Sequence, residues 1–276
     1  MDRRLQDSLS GVAGGGRGAG GLLRLGHCRG QRRLVSSSHV RFRSRYYLID
    51  QSGKGGAIRY RLMRPKITLT FDNGPTPGVT DQVLDTLAQR QMSAIFFVVG
   101  ENVRSPAGRR LLERAVRAGH RIGNHSLTHG RPLGELSPAE TIREIGGLQE
   151  LLDDFGDVDR YFRPWGTEGA LERRCLNQTA IDYLLAEKFT CVLWNSVPRD
   201  WADPRGWVSR ALADARNQQH TVVVLHDLPT GAMERLPRFL DDLTDSGLEV
   251  TTDLPDDCVP IVRGEVRTPV DHLTAV

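Results

Sequence analysis

Long apolar runs are missing from this sequence. No stretch approaches the roughly 18 consecutive apolar residues that a membrane-spanning helix needs, so the sequence predicts no membrane span. Cysteine is scarce as well: the four cysteines lie far apart and form no Cys-x-x-Cys pair, which argues against a zinc ribbon or a redox motif. Because Cys191 lies within an apolar run, we expect it to be a free, buried thiol.

Acidic residues are rare in the first 64 residues. This segment carries 14 Lys and Arg against three acids, a net charge of +11, and since the whole chain carries +3, the remainder carries −8. The basic balance belongs to this segment alone, so we do not infer nucleic-acid binding from the overall charge. The segment is rich in Gly, Arg and Ser and can bury little apolar area, so we predict that most of residues 1–64 is disordered.

The same segment lacks an apolar core of about 7–15 residues behind its first charges, which argues against a secretory signal. Three interpretations stay open: a flexible basic tail, an organellar transit peptide, or a start codon assigned too early. We favour the first and the third. The compartment does not follow from the sequence, although a cytoplasmic location is slightly favoured.

From Lys66 onward, short β-branched runs alternate about seven times with segments of helical periodicity. One helix start is explicit, because Ser137 is followed by a proline and then by Glu140, which is a capping-box sequence. Such alternation is typical of parallel strands wrapped by helices. We therefore predict an α/β fold, a distorted or incomplete (β/α)7-type barrel with parallel strands, over residues 65–256, followed by a C-terminal tail over 257–276. The predicted strands cover residues 67–71, 94–99, 121–123, 160–164, 189–194, 221–225 and 248–252.

Polar side chains recur where these predicted strands end. The carboxyl ends of parallel barrel strands meet at one face, so these side chains are expected to converge there. An acid, several imidazoles and a guanidinium in one pocket are typical of a hydrolase. The clusters are Asp72 with Asn73, His125 with His129, Arg163 with Trp165, Asp200 with Trp201, and His226.

Each cluster also has a plain structural explanation. The sequence Asp-Asn-Gly-Pro from Asp72 is a common turn. An isolated His-x-x-x-His spacing, as between His125 and His129, occurs often by chance. A lone histidine behind an apolar run, such as His226, is more often a satisfied core residue. The order of all five clusters, each at a strand end, favours a functional site.

The same positions resemble the polysaccharide deacetylases, carbohydrate esterase family 4, which contain the nodulation-protein-B homology domain. The resemblance extends from about residue 66 to about residue 252. Residues 70–75 read Thr-Phe-Asp-Asn-Gly-Pro where the family has Thr-Phe-Asp-Asp-Gly-Pro, and residues 125–129 match His-Ser/Thr-x-x-His. The other matching positions are Arg163-Pro164-Trp165-Gly166, Asp200-Trp201 and Val224-Leu225-His226-Asp227.

This resemblance implies a role for each site residue. Asp72 would be the general base that activates water, oriented by Arg163. His226 would be the general acid that protonates the leaving amine, held by Asp200. A divalent metal, commonly zinc, would be bound by His125, His129 and, at the third position, Asn73. The implied substrate-binding residues are Trp165, Trp201 and Leu225.

Asn73 and Trp165 are the two substitutions inside the matching motifs, and an acid often found upstream of Asp200-Trp201 is absent. Asn73 replaces an aspartate and offers only a neutral oxygen; a tenfold loss of metal affinity would need only about 1.4 kcal/mol. Trp165 replaces the usual tyrosine, which reshapes the pocket.

Three functions therefore stay open. The first, which we favour, is metal-assisted removal of N-acetyl groups from an amino-sugar glycan that resembles a chitooligosaccharide. The others are metal-independent hydrolysis of a small C–N substrate and non-catalytic glycan binding. The expected partner is an acetylated amino-sugar glycan, and the sequence does not predict an oligomeric state.

Overall fold

The computed structural model describes residues 39–42, 45–50, 59–155 and 160–275, with side chains from Arg64 onward. Its first three strands, β1 (His39–Phe42), β2 (Arg45–Asp50) and β3 (Arg59–Met63), form a sheet of their own in the order β1-β2-β3. The sequence predicted disorder over most of residues 1–64 and missed these three strands. The rest of that segment lies outside the described residues.

A second sheet of nine strands makes up the centre of the following domain. Its strands are β4 (Lys66–Asp72), β5 (Ile95–Val98), β6 (Arg121–Asn124), β7 (Tyr161–Phe162), β8 (Thr190–Cys191), β9 (His220–His226), β10 (Glu249–Thr251), β11 (Ile261–Val262) and β12 (Glu265–Val266). The helices that accompany it are α1 (Val79–Gln89), α2 (Gly100–Val103), α3 (Pro106–Arg117), α4 (Pro138–Leu152), α5 (Gln178–Ala186), α6 (Trp207–Asn217) and α7 (Leu236–Asp245).

The strand order curls this sheet into an incomplete barrel. Neighbouring strands from β4 to β8 pair in parallel in chain order, and β9 returns to pair in parallel with β4 along its whole length. A bridge between Ser196 and Val223 brings the segment after β8 next to β9. The second edge of β4 is shared by β10 at one end and β5 at the other. The predicted incomplete barrel of parallel strands is therefore confirmed.

The alternation of side chains along β4 separates the core from the site. Ile67, Leu69 and Phe71 are fully buried and pack in the largest apolar cluster, which also contains residues of α1, α3, α6 and α7. Thr70 and Asp72 have the opposite parity and face the inside of the barrel, where both contact an arginine. A strand that is buried on both sides thus presents apolar groups to the helices and polar groups to the barrel interior.

The helix signal at Ser137 is confirmed. The Ser137 hydroxyl accepts a hydrogen bond from the Glu140 backbone N–H at 3.4 Å, and the Glu140 carboxylate accepts one from the Ser137 N–H at 2.8 Å. This capping box fixes the start of α4 and therefore the path of the chain behind the two histidines of the site.

The segment that the sequence assigned to a C-terminal tail packs on this domain. β11 pairs antiparallel with β8 through Ile261 and Cys191, and Ile261 and Leu273 are fully buried. Cys191 is a free thiol inside the core, as predicted, and burial raises its pKa to about 12. In the part of the chain that the structure describes, no helix has the length and apolar character needed to cross a membrane.

Candidate active site

One pocket of about 270 Å³ opens at the carboxyl ends of the barrel strands. The structure brings most of the candidate residues to it, although they come from five separate parts of the chain. Arg163 and Asp200 lie behind the pocket wall and are fully buried. The candidate residues that line the pocket are Asp72, Asn73, His125, His129, Trp165, Trp201 and His226.

Asp72 is the last residue of β4 and is only 4% exposed. Its Oδ1 accepts a hydrogen bond from Arg163 Nη1 at 2.8 Å, and its Oδ2 lies 3.6 Å from His125 Nε2. One carboxylate oxygen is thus neutralised by the guanidinium, while the other faces the imidazole side of the pocket. This orientation suits a base that must accept a proton at one defined oxygen.

Arg163 is held rigidly behind Asp72. Its Nη1 also donates to Thr70 Oγ1 at 2.6 Å, and its Nε and Nη2 donate to the carbonyl oxygens of Val192 and Leu193 at 3.2 and 3.3 Å. The guanidinium carbon lies 3.9 Å from the centroid of the Phe97 ring. A charge this deeply buried needs a partner, and Asp72 supplies it.

His125 is a neutral imidazole with a defined tautomer. Its Nδ1 lies 2.9 Å from the Arg163 carbonyl oxygen, which can only accept, so Nδ1 carries the hydrogen. Burial lowers the pKa of His125, with the Asp72 charge opposing. The lone pair on Nε2 then faces the carboxylate oxygen of Asp72, and two acceptors in this arrangement call for a cation or a hydrogen-bond donor between them.

His129 and Asn73 complete this side of the pocket. The His129 ring lies 4.9 Å from the His125 ring and stacks on Trp165 at 4.5 Å, and burial lowers its pKa to about 3. Asn73 has a left-handed backbone with φ 74°, and its Oδ1 is buried without a hydrogen-bond partner. An orphaned buried oxygen is costly, and this one lines the same pocket as the two imidazoles.

The donor set fits a divalent metal, with one weak ligand. Two neutral imidazoles, His125 and His129, suit zinc, and Asn73 Oδ1 supplies a neutral third donor. Over residues 64–155 and 160–275, no three His, Cys, Asp or Glu side chains form a group that could hold a metal ion by themselves. Any metal here would therefore depend on the amide oxygen or on water as further ligands.

His226 ends β9 and is anchored by Asp200. Its Nδ1 lies 2.9 Å from Asp200 Oδ1, and its backbone N–H donates to Asp200 Oδ2 at 2.8 Å. Burial lowers the pKa of His226, but the hydrogen bond and charge of Asp200 outweigh it, so the pKa is raised above 6.5. Since Nδ1 is engaged, Nε2 is the nitrogen left for proton transfer to a ligand.

The structure contradicts the predicted role of Leu225. This residue is fully buried in the apolar cluster between sheet and helices and does not line the pocket. Successive residues of a strand point to opposite faces, so Val224 and His226 face the pocket and Leu225 points away. Because side chains alternate between the two faces of a strand, the position two residues before His226 could have been predicted to line the pocket, and it is Val224.

Sequence reasoning found only Trp201 of an apolar wall that lines the pocket. Its residues come from the segment after β8, from the loop that carries Trp201, and from the segment that begins with β9. The Trp194 Nε1–H donates to the Gly169 carbonyl at 2.9 Å, which fixes one corner of this wall. The apolar residues that line it are Trp194, Val197, Trp201, Val224 and Leu228.

Comparison with known proteins gives a concordant set of matches. The family model described as polysaccharide deacetylase matches residues 60–180. The peptidoglycan-N-acetylglucosamine deacetylase of Bacillus cereus is 31% identical over 200 residues, which cover 67% of this chain and 85% of that protein. The peptidoglycan-N-acetylmuramic acid deacetylase PdaC of Bacillus subtilis is 29% identical over 189 residues and 67% of this chain, and the match spans only 37% of that protein.

Solved structures show the same likeness in three dimensions. The family 4 carbohydrate esterase from Streptomyces lividans in complex with acetate matches this chain with a TM-score of 0.59 and 26% sequence identity. The match covers 74% of this chain and 98% of that one. The barrel domain of this chain therefore corresponds to nearly the whole of that enzyme.

Proposed function

Because this chain belongs to the polysaccharide deacetylase family, we propose that it hydrolyses the acetamide of an N-acetylated amino sugar in a poly- or oligosaccharide and releases acetate. The observation that carries the proposal is the register of β4 and β9, in which Asp72 lies directly opposite His226. Partner residues on adjacent strands are separated by about 5 Å. The two side chains therefore start from neighbouring backbone positions at the mouth of the barrel, where a carboxylate and an imidazolium can act on one amide.

The proton transfers follow from the contacts of these two groups. Asp72, with its Oδ1 engaged by Arg163, takes a proton from water at Oδ2 as the oxygen attacks the acetyl carbonyl carbon. His226, kept protonated by Asp200, gives a proton to the amine as the C–N bond breaks. An amine is a poor leaving group, so this second transfer is essential to amide cleavage.

A divalent metal, by preference zinc, would be held by His125, His129 and Asn73 and when bound would polarise the attacking water and the acetyl carbonyl. The neutral state of both imidazoles and the orphaned Asn73 oxygen support this assignment. The apolar wall of the pocket would receive the acetyl methyl group, and Trp165 and Trp201 would contact the sugar.

The test is acetate release by the purified chain from N-acetylated chitooligosaccharides and from peptidoglycan, with zinc or cobalt added and after chelation. We expect release that depends on the metal. Hydrolysis of a small amide that survives chelation and His125→Ala would instead favour a metal-independent amidohydrolase, a second candidate that the neutral Asn73 motivates. Glycan binding that Asp72→Ala leaves intact, with no acetate from any substrate or metal level, would show a non-catalytic binding protein.

Asn73→Asp is expected to tighten zinc binding by at least about tenfold, because the third donor becomes an anion. Isothermal titration with zinc measures this effect independently of turnover. The control is Asn217→Asp, the same chemical change at the last residue of α6, which does not line the pocket. Equal zinc affinity of Asn73→Asp and the parent chain would remove Asn73 from the ligand set.

Asp200→Asn is expected to move the alkaline limb of the kcat/KM profile to lower pH. His226 acts as an acid in its protonated form, so activity falls as the pH rises through its pKa. Burial lowers the pKa of His226 and the Asp200 carboxylate raises it, so replacing Asp200 by the uncharged asparagine should lower the pKa of His226. A profile that keeps its alkaline limb in the variant would show that His226 is not the group that limits activity at high pH.

A further inference from the structure

A third buried carboxylate, after Asp72 and Asp200, lies beside the site and has no role in the chemistry above. Asp227 follows the proposed acid His226, is fully buried, and its Oδ1 has no hydrogen-bond partner. Its Oδ2 accepts a hydrogen bond from the hydroxyl of Thr80 in the first turn of α1. An acid is rarely buried with half of its hydrogen-bonding capacity unused unless its position serves another purpose.

The contacts of Asp227 lead to the turn that follows the proposed base. The Thr80 hydroxyl that donates to Asp227 also accepts from the Thr76 N–H at 2.7 Å, so a chain of two hydrogen bonds runs from the turn to the carboxylate. The same carboxylate lies against Gly74, where a Cβ atom would collide with it. Only glycine therefore fits beside Asp227 at this point of the turn.

On the α1 side, the Thr76 carbonyl also accepts from the backbone N–H groups of Val79 and Thr80, at 3.1 and 2.8 Å. The segment between Asp72 and Thr76 carries both the base and Asn73, whose backbone is left-handed. From the opposite side, the Gly74 carbonyl accepts from the Val99 N–H at 2.9 Å, and the Asn73 N–H donates to the Phe97 carbonyl at 3.1 Å. Those bonds tie the turn to β5, whereas Asp227 and Thr80 tie it to the end of β9.

We propose that Asp227 and Thr80 are positioning residues that hold the turn after β4, and with it Asp72 and Asn73, in register with the strand end that carries His226. This inference rests on the proposed function, because it concerns the alignment of the same base and acid. Misplacement of a reacting group by about 1 Å can cost as much as a hundredfold in rate, so a buried contact that sets this alignment is worth its desolvation.

The experiment compares Thr80→Val, which keeps the shape but loses the hydroxyl, with Thr80→Ser, which loses the methyl but keeps the hydroxyl. We expect kcat for acetate release to fall about tenfold in Thr80→Val with KM within about twofold, and to stay within about twofold in Thr80→Ser. The matched control is Thr86→Val, a buried threonine of the same helix away from the pocket. A packing role predicts the reverse order, with the serine variant worse, and that order or an unchanged kcat in Thr80→Val overturns the proposal.

Two further measurements keep the inference separate from the proposed function. Amide hydrogen exchange at Thr76 is expected to speed up in Thr80→Val, since its N–H loses the hydroxyl acceptor, whether or not the chain releases acetate. Unchanged exchange there would refute the positioning role even in an active enzyme. Asp227→Ala combined with Thr80→Val should lose less kcat than the product of the two single losses, because the two side chains share one hydrogen bond; losses that multiply would also overturn the proposal.

Discussion

Asp72→Asn is expected to lower kcat for acetate release by about a thousandfold while leaving glycan binding within a few-fold of the parent chain. Asparagine retains the shape of the side chain and an oxygen that can accept from Arg163 Nη1, which lies 2.8 Å from Asp72 Oδ1. It cannot take a proton from water. The loss should therefore appear in kcat in steady-state kinetics with acetylated oligosaccharide, with little change in KM.

The chain offers a matched control in a second Asp–Arg pair. Asp241 accepts hydrogen bonds from Arg90 at 2.8 and 3.0 Å, its side chain is 60% exposed, and it does not line the pocket. Asp241→Asn makes the same chemical change and should leave kcat unaltered. If Asp72→Asn kept more than a tenth of the parent kcat, another group would have to be the base.

The convergence of most candidate residues on one pocket was predictable because it follows a rule of parallel barrels. Polar residues that follow apolar strands meet at one face, and the residues at the ends of β4, β6 and β9 do so here. The order of the strands was harder to foresee. If the strands closed into a ring in chain order, β10 would lie between β9 and β4. Instead, β10 and β5 share one edge of β4, and β9 pairs with its other edge. Only this arrangement places Asp72 beside His226.

The residues that the sequence left out or misplaced depend on local geometry. Leu225 was predicted to bind substrate because it lies within a matching motif, but the alternation of side chains along β9 points it into the apolar core. Asp227 lies one residue beyond the strand end, where parity no longer applies, and its burial depends on contacts with Thr80 and Gly74 from a distant part of the chain. Strand β11 pairs antiparallel with β8, which no alternation of strands and helices predicts.

Arg163 links this catalytic geometry to the stability of the barrel. It is fully buried, and its donors serve Asp72, Thr70 and two main-chain carbonyls. A buried ion pair often contributes less to stability than apolar residues of the same volume would. We infer that Arg163 lies at the centre of the barrel because the proposed base Asp72 needs a buried counter-ion. Its effect on Asp72 and its effect on stability can be separated by substitution.

Arg163→Met is expected to lower the free energy of unfolding by about 3–5 kcal/mol, because it leaves the Asp72 carboxylate buried without its counter-ion. Urea denaturation measures this loss. Arg90→Met is the matched control: its partner Asp241 is exposed to solvent, so the loss should stay within about 1 kcal/mol. The double variant Asp72→Asn with Arg163→Met removes the uncompensated charge and should be more stable than Arg163→Met alone, although it will release no acetate. If the double variant lost as much stability as the two single variants together, the pair would not be coupled, and Arg163 would hold the barrel through its main-chain contacts rather than hold the base.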